Sequence, residues 1–257
     1  MTVSVTHSTN GHIGEIRFAK PPLNFACPEL LSKIADAIDM FDADREVRCI
    51  VLSSEGKSFC AGADLAGDES LNANDAMDSF GDIYGQARRI FARKKPMIAA
   101  IQGAAIGAGI GLALAADFRV AAPAARFSAN FVRLGFHQGF AISVTLPRVV
   151  GQQRAAWMLL SAARIKPDDA LAWGLADRLS GENDLMDVAR AMAGEIAENA
   201  PLALRAVRKT LGDGFLDQID AAIAHEHHQQ ALLKPTADYA EGVASVFERR
   251  AANFTGQ

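Results

Sequence analysis

Three cysteines in 257 residues, Cys27, Cys49 and Cys60, are odd in number and fall in neither C-x-x-C nor metal-ligand spacing. That scarcity excludes a disulfide framework and fits a reducing cytoplasm. Basic charge is short too: 26 Lys and Arg stand against 30 Asp and Glu, a net charge of −4, with no basic cluster interleaved with aromatics. Nucleic-acid binding gains no support from that balance. The opening MTVSVTHSTNGHIGEIRFAK has no basic start followed by an apolar core, so no signal peptide is expected. Internal repeats, low-complexity tracts and long linkers are missing as well.

What the chain does have is apolar content, half of its residues, enough for a substantial core in one large domain or a domain with an appendage. Strand-type residues at 3–7 and 12–18 flank Asn10-Gly11, a hairpin signal. Leu30, Leu31, Ile34, Ile38 and Phe41 recur at helical spacing within 28–41. Residues 48–53 read as a buried strand, 76–93 as an amphipathic helix, and 118–122 and 125–128 as short strands. Helical patterns then dominate, at 145–150, 152–162, 167–173, 184–199, 202–211, 216–233 and 235–250. The alternation predicts an α/β architecture, with a core over 1–200 and a helical C-terminal subdomain over 201–257.

The stretch PMIAAIQGAAIGAGIGLALAAD, residues 96–117, is nearly all apolar but broken by Gln102, Gly103, Gly107, Gly109 and Gly111. Its length suits a membrane span. Against that, the glycines and the glutamine weaken insertion, and residues 97–101 read better as a buried strand. A dinucleotide loop needs G-x-G-x-x-G with an acid about 20 residues on. Here Gly107, Gly109 and Gly111 are spaced two and two, Leu112 takes the third glycine's place, and Asp117 comes too early. Strand, turn and helix remain: 97–101, 102–107 and 108–116. The first amides of such a helix lack internal partners and favour negative charge. A second small, glycine-bearing turn, SFCAGADL at 58–65, follows the strand at 48–53. Two such turns can each direct one N–H at the same oxygen, the minimum for an oxyanion hole; plain tight turns are the alternative.

SFCAGADL, AAIQGAAIGAGIGLALAADFRVA, ARFSANFVRLGF, LPRVVG and EGVASVFERRAANF, in this order, closely resemble the crotonase superfamily, which includes enoyl-CoA hydratase and isomerase. The resemblance covers nearly the whole chain. It implies a crotonase-like ββα spiral core, a helical C-terminal trimerisation region, and a homotrimer or a hexamer of paired trimers. It implies an acyl-CoA thioester as substrate, with CoA entering as part of that substrate rather than as a separate cofactor. The backbone N–H groups of Ala63 and Ala108 match the oxyanion donors. Asn24, Phe25, Ala26, Ala61, Asp64 and Leu65 match positions that hold pantetheine and adenine. Arg249 and Arg250 align with basic residues that meet CoA phosphates, or are simply solvated.

Departures from the pattern carry as much information. The two glutamates that position and split water in family hydratases fall here on Gly111 and Phe131, and a further acid position of relatives falls on Gly139. None of these side chains accepts a proton, so ordinary hydration has no agent. His137, in LGFHQGF, is the candidate acid or base for that region. Asp68 and Glu69 follow the first turn, and Tyr84 and Arg133 lie near the expected pocket. Phe80, Tyr84, Phe91, Phe131, Phe136 and Phe140 outline an apolar pocket if they converge, or else pack the core. His225, His227 and His228 place only one pair on a helix face without a further ligand, so no metal site is expected. The resulting expectation is an acyl-CoA enzyme with altered chemistry, decarboxylating a malonyl-type thioester or hydrolysing a thioester. The alternative is a non-catalytic acyl-CoA-binding relative, with a membrane protein a distant third.

Overall fold

The computed structural model describes residues 2–64 and 76–257, with 76–81 as backbone alone. Leu65, Asp68, Glu69 and the side chain of Phe80 lie outside the described residues.

The chain opens with β1 (Ser4–Asn10) and β2 (Ile13–Ala19), paired antiparallel. Asn10 stands opposite Ile13, so Gly11 and His12 form the turn rather than Asn10 and Gly11, and Gly11 takes the positive φ of 56° that the turn requires. After α1 (Pro28–Ala43) come β3 (Cys49–Ser54), α2 (Ala76–Phe91) and β4 (Met97–Ile101). A short β5 (Ala104–Ile106) precedes α3 (Ala108–Ala115), followed by β6 (Phe118–Ala121) and β7 (Arg126–Ser128). The remainder is α4 (Ile142–Val150), α5 (Gln152–Ser161), α6 (Pro167–Ala172), β8 (Arg178–Leu179), α7 (Leu185–Ala197), α8 (Pro201–Leu211), α9 (Phe215–Leu233) and α10 (Ala237–Glu248). Pro28, Pro167 and Pro201 each stand in a first helical turn, where the missing N–H costs nothing.

Six strands form one sheet in the order β1-β2-β3-β4-β6-β8, parallel beyond the first pair, while β5 and β7 pair in parallel beside it. Both faces of the central strands are covered, which is why they read as unbroken apolar runs. Along β3, Ile50 and Leu52 enter the main core, whereas Cys49 and Val51 meet Ala189, Met192 and Ala193 of α7. β4 divides likewise, Met97, Ala99 and Ile101 on one side, Ile98 and Ala100 on the other.

The apolar 96–117 stretch is therefore two strands and an eight-residue helix. No helix among the described residues is long and apolar enough to cross a membrane. α3 is buried along its whole length, so its small residues are a packing requirement. A Cβ on Gly109 would collide with the Cys60 carbonyl oxygen, and one on Gly103 with that of Lys57. Those close approaches draw the two glycine-bearing turns together. The C-terminal helices fold back onto the core, α9 against α2 and α4, and α10 against a short 3-10 helix at Asn130–Leu134.

Candidate active site

The two turns are joined through β5. The Cys60 N–H donates to the Ala104 carbonyl at 2.9 Å and the Ile106 N–H donates to the Cys60 carbonyl at 3.0 Å. Beyond β5, the Gly107 N–H donates to the Ser128 carbonyl at 2.9 Å, fixing the second turn to β7. Gly107 has φ 55°, and the position its Cβ would take lies 3.7 Å from the Gly62 Cα, so the turns abut. Ala63 follows one of these glycines and Ala108 follows the other. Among the described residues neither amide N–H has a hydrogen-bond acceptor, and both residues line a cavity of about 170 Å³. Ala108 is the first residue of α3, where an N–H has no intrahelical partner.

Most of the cavity wall is apolar. Phe25, Ile83, Phe131, Leu134, Phe136 and Phe140 contribute from the core, and Val243, Val246 and Phe247 from α10. Of the aromatic candidates, Tyr84, Phe131, Phe136 and Phe140 converge here; Phe91 stands behind, its ring edge-on to Phe140 at 6.2 Å. Phe25, Ala61 and Asp64 also line the space. Asn24 and Ala26 do not. The Asn24 carboxamide accepts from the Lys20 N–H at 2.8 Å and donates to the carbonyls of Glu55 and Ser58 at 2.7 and 2.8 Å. The buried Ala26 exchanges backbone hydrogen bonds with Gly62 and Asp64. Both residues thus build the first turn from behind.

The three positions where acids are missing have physical occupants. A Cβ at Gly111 would lie 2.6 Å from the Phe140 Cβ, so the ring of Phe140 fills that space. Phe131 presents its own ring. At Gly139 a Cβ would strike the Tyr84 hydroxyl and approach the Gln230 Nε2 at 2.8 Å. The Tyr84 hydroxyl donates to Gln230 Oε1, and Gln230 Nε2 donates to the His137 carbonyl at 2.9 Å. Burial pushes the Tyr84 phenol up, and the nearby Glu226 charge adds to the shift, so Tyr84 stays a hydroxyl. Asp64 is ion-paired with Lys20; burial alone lowers that ammonium, but its hydrogen bond to Asp64 holds it above its usual value. Burial lifts the Cys60 thiol to about 11, which leaves it no thiolate character near neutrality.

His137 lies in the loop that precedes α4. Its ring is not part of the cavity wall: Nδ1 meets the Gln138 carbonyl at 2.8 Å and the ring stands edge-on to His225 at 5.9 Å. Only its backbone carbonyl reaches the pocket's polar corner, through Gln230. Burial, opposed by the Gln138 carbonyl and aided by His225, pulls its pKa below the usual value. Arg133 is exposed, and Arg250 is held by Glu241 and Glu248. Among the described residues no group of His, Cys, Asp and Glu has the arrangement of a metal site.

Three polar participants escaped the sequence reading. Asn130 immediately precedes Phe131 and shares its wall. Gln230 and Glu226 lie four apart in AHEHHQQALL, hence on one face of α9; that buried polar pair was the available signal, masked by the histidines around it. Glu226 is 0% exposed and accepts from the N–H groups of Ala141 at 2.7 Å and Ser143 at 2.8 Å, capping α4. It thereby clamps Phe140 and Ala141, both at positive φ, and so holds the ring that fills the Gly111 space.

Burial pushes the Glu226 carboxyl from 4.5 up to about 7, against the lowering effect of its hydrogen bonds. Between these values the folded chain keeps a proton that the unfolded chain releases. Stability from this group therefore falls as pH rises from 4.5 to about 7, by roughly 3 kcal/mol in all, and is flat above. Thermal melts across that range should show this slope in the parent and its loss in Glu226→Gln. Parallel curves for the two proteins would assign the slope elsewhere.

The family model for enoyl-CoA hydratase/isomerase matches residues 8–257. The chain is 36% identical over 234 residues to the crotonyl-CoA hydratase of Syntrophomonas wolfei, covering 90% of each. It is 30% identical to the 1,2-epoxyphenylacetyl-CoA isomerase of Escherichia coli, covering 91% of each. Among solved structures, an enoyl-CoA hydratase/isomerase from Pseudoalteromonas atlantica superposes with a TM-score of 0.87 at 27% identity, over 98% of this chain and 100% of that one. With this fold, these two turns and these relatives, the chain belongs to the enoyl-CoA hydratase/isomerase family of the crotonase superfamily.

Proposed function

We propose that this family member binds an acyl-CoA thioester with the carbonyl oxygen on the N–H groups of Ala63 and Ala108, and decarboxylates a malonyl-type thioester. One observation carries the reading: Ala63 and Ala108, whose amides have no acceptor among the described residues, line an apolar cavity whose three acid positions are filled by Phe140, Phe131 and the Tyr84–Gln230 pair. Hydration needs a base to activate water, and hydrolysis needs one as well. With the His137 ring turned toward His225 and Asp64 paired with Lys20, no other carboxylate or imidazole lines the cavity among the described residues. Loss of carbon dioxide forms an enolate from the breaking C–C bond itself, and only the resulting oxyanion has to be stabilised. The CoA moiety belongs to the substrate. Its pantetheine and adenine are assigned to the backbone of Phe25, Ala61 and Asp64, which Asn24 and Ala26 support from behind; Leu65, outside the described residues, belongs to the same assignment. A homotrimer, or a hexamer of paired trimers, is part of the same proposal and is read by light scattering.

The test is turnover of malonyl-CoA, crotonyl-CoA and acetyl-CoA by the purified chain. Carbon dioxide release from malonyl-CoA is the expected result, with crotonyl-CoA unhydrated and acetyl-CoA not cleaved to free thiol. Rapid hydration of crotonyl-CoA overturns the reading. Binding of all three with no turnover makes the chain a non-catalytic acyl-CoA-binding relative.

A further inference from the structure

Asn130 opens the 3-10 helix at Asn130–Leu134 and lines the cavity, half-buried, beside the second turn. Its Oδ1 lies 3.6 Å from the position a Gly107 Cβ would take, one residue from the Ala108 amide. Its backbone is held there by β7, whose Ser128 carbonyl binds the Gly107 N–H. The other polar side chains of the wall are committed: Tyr84 and Gln230 to each other, Gln230 also to the His137 carbonyl, and Asp64 to Lys20. Within the described residues the Asn130 carboxamide alone among them has no hydrogen-bond partner. Half-buried beside Phe131, Phe136 and Phe140, the amide keeps water as its partner until a ligand displaces that water, and the ligand must then supply the hydrogen bond that is lost.

We infer that Asn130 binds the carboxylate on C2 of the substrate's acyl group, which makes the substrate class a short malonyl or 2-substituted malonyl thioester. This rests on the reading under "Proposed function" and names the residue that selects its substrate. The described wall leaves about 170 Å³, room for an acyl group of a few carbons. Among the described residues no cation lines it. A neutral carboxamide orients the carboxylate without neutralising it, so the charge sits poorly solvated among aromatic rings until carbon dioxide leaves. The C–C bond to the carboxylate breaks, its electron pair forms the C1–C2 double bond of the enolate, and the oxyanion rests on Ala63 and Ala108. Water then delivers a proton to C2, giving the acyl-CoA product. No redox partner takes part.

The experiment measures malonyl-CoA decarboxylation and, separately, calorimetric binding of butyryl-CoA, which has no carboxylate, for the parent, Asn130→Ala and Asn130→Asp. Asn130→Ala should lower kcat/KM for malonyl-CoA on the order of 10- to 100-fold, and Asn130→Asp further by like charge. Butyryl-CoA affinity should stay within about twofold in both. Unchanged malonyl-CoA kinetics, or equal losses for both ligands, overturn the inference. If the parent binds both thioesters without turnover, the decarboxylase reading fails by itself; a malonyl-CoA affinity that Asn130→Ala leaves unchanged then also removes Asn130's role.

Discussion

Replacing Ala108 with proline should reduce kcat on a CoA thioester by about 100- to 1,000-fold while the protein remains folded. No change of side chain can remove a main-chain donor, except to proline, and Ala108 stands where proline is best accommodated. It is the first residue of α3, its N–H has no acceptor among the described residues, and a helix loses no internal bond when that group is deleted. Everything else at the site stays: the cavity walls, the Ala63 amide, and the paired Tyr84 and Gln230. The variant therefore removes one hydrogen bond to the developing oxyanion and sets the proline Cδ where that N–H pointed. Ala108→Ser, which keeps the N–H, serves as the comparison and should retain nearly full activity. Circular dichroism and thermal melts report whether α3 survives. If Ala108→Pro folds and works at the parent's rate, the two-amide mechanism is wrong.

Gly111→Glu, which returns a carboxylate to the position hydratases use, should fail to create a hydratase and should destabilise the protein by about 3 kcal/mol. The glycine is fully enclosed, and the first side-chain carbon would lie 2.6 Å from the Phe140 Cβ. Phe140 cannot yield easily: it is at φ 63°, next to Ala141 at φ 56°, and the turn is clamped by the Glu226 carboxylate. Phe140→Gly in the same chain removes the obstructing ring and relaxes a backbone that glycine prefers, but gives up the ring's own burial, so the double variant should lose less than the sum of the two single losses. Denaturant unfolding of the parent, the two single variants and the double variant measures this, alongside hydration of crotonyl-CoA. A single Gly111→Glu protein as stable as the parent would show that the Phe140 ring has another place to go.

The fold was largely legible because its elements carry strong local patterns. The central strands are unbroken apolar runs, α1 repeats its leucines and isoleucines at helical spacing, and prolines mark the starts of three helices. The two turns were legible for a different reason, since only glycine and alanine allow backbones to approach as Gly109 approaches Cys60. What sequence could not supply was direction. His137 sits in the expected loop, but the direction of its ring makes it a neighbour of His225 rather than part of the described cavity wall. Phe140 looked like one more aromatic until its contact with Gly111 showed that it occupies a missing acid's place. Gln230 and Glu226 lie about 90 residues beyond the loops they serve. No local signal connects segments that far apart.

That long-range assembly has a consequence for how the molecule matures. The cavity takes Phe25 from the chain's opening segment and Phe247 from its last helix, so a polypeptide emerging from the ribosome cannot enclose a thioester until α10 has been made and has docked. A seated ligand in turn straps the beginning of the chain to α10, and its occupancy should raise the melting temperature of the entire polypeptide, with no lobe left to melt early.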